Sequence, residues 1–365
     1  MMLLGVVLHS AITYGEFNYG DAWSLKDQGS TNLVYDLMVW IIHIFRMPIF
    51  FAISGFFGAL LFYERGSKKM IQNRIKRVLI PFLVFLFILW PFVAFAWIFT
   101  SANMSGNQSA FSATLTTMSN PLVYIPKNTF HLWFLYYLIY FIGFSWLLAL
   151  IMKKLVKLSR SIKKVFQFLF RYTLISPFIF ASFLFCTLYL LDVEDIDNNT
   201  FFIPDWKSWL LYLQFYIWGW LLFKSKELLN KLISFDYLFL ILAISLFTLN
   251  VIFTDAISHI QYMAVNALMK WLFLFGIMGM FMRFFSSENT KMRYISDSSY
   301  WVYLIHLPLT GFIPGLMINL NLPTHIKFLI VLLTTSVFCL ITYNYFVRST
   351  FIGKFLNGKK YPVSS

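Results

Sequence analysis

The chain alternates between long, uniformly apolar blocks and short polar segments, with too little polarity inside the blocks to draw one wet face along a helix. A spanning helix needs roughly 20 mostly apolar residues. Marking such runs predicts helices over 1–14, 35–63, 78–99, 130–152, 172–191, 207–223, 236–253, 262–282, 299–316 and 327–346. The pattern is that of an all-α fold, a polytopic integral membrane helix bundle with about ten transmembrane helices. The first block, MMLLGVVLHSAITY, is too short to cross. It lacks the basic start and cleavage site of a signal peptide, so the sequence is expected to begin inside its first helix, truncated at the N-terminus. Residues 1–346 read as a single transmembrane domain and 347–365 as a short basic tail.

Composition strengthens this reading. Only 12% of the 365 residues are charged and 59% are hydrophobic, whereas a soluble domain keeps roughly a quarter of its residues charged. The net charge of +14 raises the question of nucleic acid, and the placement of the charges answers it. Segments 64–77, 153–171, 224–235, 283–297 and 347–365 hold six, seven, three, three and four of the 29 Lys and Arg residues. The alternate loops hold Lys26 and Lys127, with Lys207 and Lys327 at span edges, while Asp192, Glu194, Asp195, Asp197 and Asp205 crowd one of them. Basic loops face the cytoplasm, so the C-terminus is expected inside, and the basic surplus needs no nucleic acid. Cys186 and Cys339 both fall within spans, without the spacing of a disulfide framework or zinc site.

Ionisable groups inside spans are the candidate chemistry, because an Arg at mid-helix costs roughly 2.5–3.5 kcal/mol on insertion scales. His9 lies in the first helix. His43 and Arg46 stand three apart in the second, His131 opens the fourth, and His306 sits in the ninth within SYWVYLIHLP. An imidazole takes and releases a proton near neutral pH, which suits proton transfer in a membrane cavity. Against this stand interfacial anchoring for His131 and His306, and a simple orienting role for His43. Lys270 reads as structural. No carboxylate is interleaved with the histidines at ligand spacing, so a metal site is not expected. In KKMIQNRIKR, Arg74 and Arg77 are three apart, as in a forked clamp for phosphate oxygens, although every cytoplasmic loop is basic for topology. A transporter or flippase using His9, His43 and Arg46 is the rival class, and a non-catalytic partner of a glycan-assembly complex is a third. The absence of a two-fold internal pattern argues against the transporter.

Five segments taken together resemble the acyltransferase-3 family of membrane acyltransferases, closest to its branch of periplasmic glucan succinyltransferases. They are MMLLGVVLHSAITY around His9, IIHIFRMPIFFAISGFF around Arg46, RIKRVLIPF with Arg74 and Arg77, HLWFLYYLIY at His131 and SYWVYLIHLP at His306. Each string alone is weak, and the ordered set is specific. The resemblance implies a multi-pass protein of the bacterial inner membrane that moves an acetyl or succinyl group from cytoplasmic acyl-CoA to a hydroxyl of an extracytoplasmic glycan. No bound cofactor is implied, acyl-CoA being a co-substrate. His9 matches the family's first-helix histidine, and Arg74 with Arg77 its RxxR element near the donor. The family also carries a basic residue about eleven positions before that histidine, whereas this chain begins eight before it.

Overall fold

A computed structural model describes residues 2–287, 289–358 and 361. Fourteen α-helices appear among them and no strand. In chain order they are α1 (Leu3–Ala11), α2 (Leu33–Leu60), α3 (Ser67–Arg74), α4 (Ile80–Met104), α5 (Ala110–Met118), α6 (Trp133–Lys154) and α7 (Val156–Arg171). The rest are α8 (Ser176–Leu191), α9 (Trp206–Lys224), α10 (Asp236–Ile252), α11 (His259–Phe285), α12 (Thr290–Met317), α13 (Thr324–Thr342) and α14 (Phe351–Asn357). Backbone groups have no water to bond in lipid, and a helix pairs them internally. That is why apolar blocks of this length fold as they do.

Each of the ten apolar blocks falls on a helix, but their lengths differ. Six helices among the described residues are long and apolar enough to cross a membrane, and up to eight if each of two bent pairs is one span. The six lie at Leu33–Arg65, Ser67–Met104, Phe130–Lys154, His259–Phe285, Thr290–Met317 and Thr324–Val347. α8 and α10 have 16 and 17 residues, about 24–26 Å at 1.5 Å per residue against a hydrocarbon core of about 30 Å. Each is joined at a sharp bend to a basic helix, α7 to α8 at 120° and Lys226–Ser234 to α10 at 63°. The basic segment 153–171 is therefore largely helix. In α7, Lys157, Arg160 and Lys164 are exposed while Phe166 and Phe170 are buried, the arrangement of a helix lying in the membrane surface.

The chain divides into two compact units. The first comprises Met1–Ile42, Lys76–Leu132 and Thr290–Ser365. Its centre is α12, packed against α4, α13 and α1, with Val6, Val302 and Cys339 buried where α1, α12 and α13 meet. The stretch 101–129 folds back as α5 and a 3-10 turn at Pro121–Tyr124, held by Trp90 Nε1 donating to Val123 O at 2.7 Å. The C-terminal segment packs here too: Asn357 Nδ2 donates to Asp297 O at 2.9 Å and Tyr361 bonds the Asp297 carboxylate. Lys359, Lys360 and 362–365 of the expected tail lie outside the described residues.

The second unit comprises His43–Ile75 and Trp133–Asn289. Rings from Phe180, Phe215, Trp218, Trp271 and Phe275 pack its core. The acidic loop before α9 is tied down: buried Lys270 pairs with Asp195 at 2.5 Å, and His259 with Glu194 at 2.7 Å. Lys270 thus has a carboxylate partner within the same unit. Asp205 caps α9 by accepting from Lys207 N and Ser208 N. Partial burial opposes its charge, but these hydrogen bonds and Lys207 hold the carboxyl below the usual carboxylate range.

α2 and α9 touch backbone to backbone. A Cβ on Gly55 would overlap Tyr216 O, and one on Gly219 would overlap Ala52 O, the small-residue crossing that lets membrane helices approach closely. Overpacking usually costs about 1–3 kcal/mol. Gly55→Ala and Gly219→Ala should each lower the thermal midpoint in detergent by several degrees, while Gly143→Ala, whose Cβ would meet nothing within 4 Å, should leave it unchanged.

Candidate active site

Three of the sequence-predicted histidines come together in the first unit. His9, near the end of α1, lies with its ring centroid 5.3 Å from that of His306 on α12. His306 in turn is 5.2 Å from His131, which sits in the 3-10 turn Phe130–Leu132. Residues separated by nearly 300 positions thus form one row of imidazoles.

Local structure fixes each ring. After α1, residues 15–32 form a strap that returns over the helix, and its Trp23 stacks on His9 at 5.3 Å and 19°. Trp23 Nε1 donates to Thr13 Oγ1 at 2.9 Å, and the edge-on ring of Trp97 packs against it at 4.9 Å. Trp97 fits because residue 311 is glycine: a Cβ there would lie 2.5 Å from its ring. Buried polar groups anchor the strap. Asp36 accepts from Glu16 N and Phe17 N at 2.6 and 3.2 Å. Asp27, 2% exposed, pairs with Lys327, 4% exposed, at 2.9 Å. Tyr35 OH bonds His325 Nδ1 at 2.6 Å.

His131 owes its place to two backbone features. Phe130 before it holds φ at +34°, the left-handed region that costs a non-glycine residue of order 1–3 kcal/mol and persists only where surroundings enforce it. Asn128 Oδ1 accepting from Phe130 N, and the Phe130 ring against Trp90, supply that enforcement. The second feature is Pro308 inside α12. Proline has no N–H to give the carbonyl four residues back, and that carbonyl, Leu304 O, accepts instead from His131 Nε2 at 2.9 Å.

These bonds determine the tautomers, because a carbonyl only accepts. His131 carries its proton on Nε2. His306 donates through Nδ1 to Val302 O and Tyr303 O at 3.0 and 2.8 Å, which puts its lone pair, in the neutral ring, on Nε2. Neighbours on α12 extend the network. Tyr303 OH donates to His131 O, Tyr300 OH to Arg77 O, and Trp301 Nε1 to Thr342 Oγ1, at 2.9, 2.9 and 3.0 Å. A half-buried imidazole beside two buried ones with set tautomers can accept a proton from a hydroxyl and hand it on.

A model of the acyltransferase-3 family, described as an acyltransferase domain, matches residues 1–344. The chain belongs to this family. It is therefore an acyltransferase, and its apolar helices make it a multi-pass membrane protein. Among its relatives are glucans biosynthesis protein C of Escherichia coli O157:H7 and of Escherichia coli strain K12. Each is 25% identical over 319 residues, covering 86% of this chain and 80% of the relative. The same protein of Escherichia coli O81 (strain ED1a) is 24% identical over the same span. No solved structure matches the chain.

The remaining candidates of this acyltransferase lie elsewhere. Arg74 and Arg77 fall on either side of the boundary between the units. Arg74 Nη2 donates to Ser54 O at 3.4 Å in the second, whereas the Arg77 guanidinium lies against Gly358 in the first. The five residues Ile75–Leu79 form a wider π-helical turn. His43 and Arg46 share the second unit, with Arg46 only 8% exposed. Sequence reasoning missed Trp23 and the pair Asp27–Lys327, which no local spacing marks. It also passed over Pro308, whose position four after Leu304 was a readable signal.

Pro308→Ala restores an N–H to Leu304 O in competition with His131. One net hydrogen bond is worth about two- to tenfold. Acyl transfer should fall by about that factor while the thermal midpoint holds or rises; unchanged transfer would mean that this bond does not set the ring.

Proposed function

We propose that this acyltransferase moves an acetyl or succinyl group from a cytoplasmic acyl-CoA to a hydroxyl of an extracytoplasmic glycan, in a bacterial inner membrane and with its C-terminus in the cytoplasm. The observation that carries the proposal is the row His9–His306–His131, in which His306 and His131 are buried and set by hydrogen bonds to carbonyls and His9 is half-buried under Trp23. The name of the relatives, which speaks of glucans biosynthesis, favours an osmoregulated periplasmic glucan as the acceptor. The crowding of Lys and Arg into alternate loops supports the orientation.

His9 acts as general base. It takes the proton of the acceptor hydroxyl as that oxygen attacks the thioester carbonyl. The tetrahedral intermediate collapses, the C–S bond breaks, and the CoA thiolate leaves and is protonated, the proton reaching it through His9 or solvent. Trp23 keeps the imidazole plane fixed while His306 and His131 share the proton. Arg74 and Arg77 bind the CoA phosphates, where forked guanidinium donors match phosphate oxygens. His43 and Arg46 are further polar groups available to the donor.

General base catalysis contributes about 10²–10⁴-fold. With radiolabelled acyl-CoA and isolated glucan, His9→Ala should lose at least about a hundredfold in transfer while still inserting, and His9→Gln should do no better because an amide cannot take the proton. Normal transfer without His9 would remove it from the mechanism. Solute movement without acyl-CoA consumption would assign the protein to transport. In a separate measurement, Arg74→Ala with Arg77→Ala removes two charge-assisted hydrogen-bonding groups and should raise the apparent donor constant by about tenfold or more.

A further inference from the structure

The second unit contains a groove of about 290 Å³, at the lower end of ligand pockets, which run from about 300 to 1,000 Å³. Phe166 of α7, Phe180 of α8, and Leu213 and Leu221 of α9 line it. Its walls are hydrocarbon except for three N–H donors: Gln214 and Trp218 on α9, and Trp271 on α11. The nitrogens Gln214 Nε2, Trp218 Nε1 and Trp271 Nε1 are buried and have no hydrogen-bond partner among the described residues. Trp218 and Trp271 are 3% and 2% exposed, and the two rings pack at 5.6 Å.

A buried indole N–H ordinarily finds an acceptor, and an unmade hydrogen bond in an apolar place is costly. Three such donors around one groove call for a ligand that is apolar along its length and carries an acceptor oxygen. The surroundings say which one. Phe183, on the groove wall, is 55% exposed, and Phe178, Tyr189 and Leu190 of α8 are exposed too, so the groove opens on a face made for acyl chains. Phe166 comes from α7, whose exposed cations place it at the headgroup level. Trp218 is six residues from the end of α9 and Phe180 four from the start of α8. At 1.5 Å per residue Trp218 therefore lies roughly 9 Å and Phe180 roughly 6 Å inside these helix ends, within reach of the glycerol esters, and Trp271 packs against Trp218 from the middle of α11.

We propose that this groove binds one glycerophospholipid of the surrounding bilayer, with an acyl chain along Phe180, Leu213 and Leu221 and an ester carbonyl accepting from the indoles of Trp218 and Trp271. Gln214, one turn deeper, rotates its amide toward the second oxygen. The lipid fills the wall between α7, α8, α9 and α11 and is a fixed part of the folded second unit.

The full chain is reconstituted in vesicles of phosphatidylethanolamine and phosphatidylglycerol containing a trace of phosphatidylglycerol with a diazirine near the ester end of one chain, then photolysed and peptide-mapped. Label should concentrate on α8 and α9 peptides, above the level on α13, whose exposed Leu333 and Val337 report random collision. The variant Gln214→Leu/Trp218→Phe/Trp271→Phe keeps the apolar wall and should cut labelling of α8 and α9 by about tenfold, because it removes two or three hydrogen bonds to the lipid. Leu221→Trp, which fills the groove and keeps the donors, should do the same and guards against misfolding of the triple variant. Labelling of α8 and α9 no higher than α13, or labelling of both variants at the wild-type level, overturns the site. Equal labelling by a diazirine free fatty acid overturns the glycerolipid.

Discussion

A carbonyl that loses its helical partner inside a bilayer has no water to turn to, and Pro308 creates such a carbonyl at Leu304. The first unit is arranged around the answer. His131 fills the vacancy, which places an imidazole against α12 with its proton on Nε2. The same helix face carries Tyr303, which bonds the His131 backbone, and His306, which bonds its own preceding turn. Near Pro314, Thr100 Oγ1 donates to Gly311 O at 2.7 Å, so α4 is fastened to the same helix. Pro308 thereby converts a local defect into a fixed contact between distant segments.

A second constraint holds His9. The strap that brings Trp23 over the ring buries Trp23 and Leu25, while Phe17 on it is 55% exposed. Its attachment is polar and buried: Asp36 on α2 accepts from two of its amides, and Asp27 meets Lys327 on α13. Breaking a buried pair leaves an uncompensated charge and costs about 3–5 kcal/mol. The strap is consequently committed to one position, and that position decides the orientation of the His9 ring.

Most of the helical architecture was legible because lipid demands long apolar runs, and α2, α6, α11, α12 and α13 lie where hydropathy puts them. Length misleads at α8, where a bend leaves 16 residues of the run 172–191 in one helix, and at α10, whose 17 residues nearly fill the short run 236–253. The dense charges of α7 mask its helical period, so that the segment reads as a basic loop. The histidines were legible as costly residues in apolar blocks. That His9, His131 and His306 meet was not, since nothing local in MMLLGVVLHSAITY, HLWFLYYLIY or SYWVYLIHLP encodes the packing of α1 on α12.

The spacing of the imidazoles also limits how the row works. Two protonated rings 5.3 Å apart would repel by about 3 kcal/mol at an effective dielectric constant of 20, about a hundredfold against double protonation. That spacing disfavours a second added proton in the row. His131 and His306 donate to the carbonyls of Leu304, Val302 and Tyr303, and under the proposed function a base in this row takes a proton from a hydroxyl and later restores one to the leaving group.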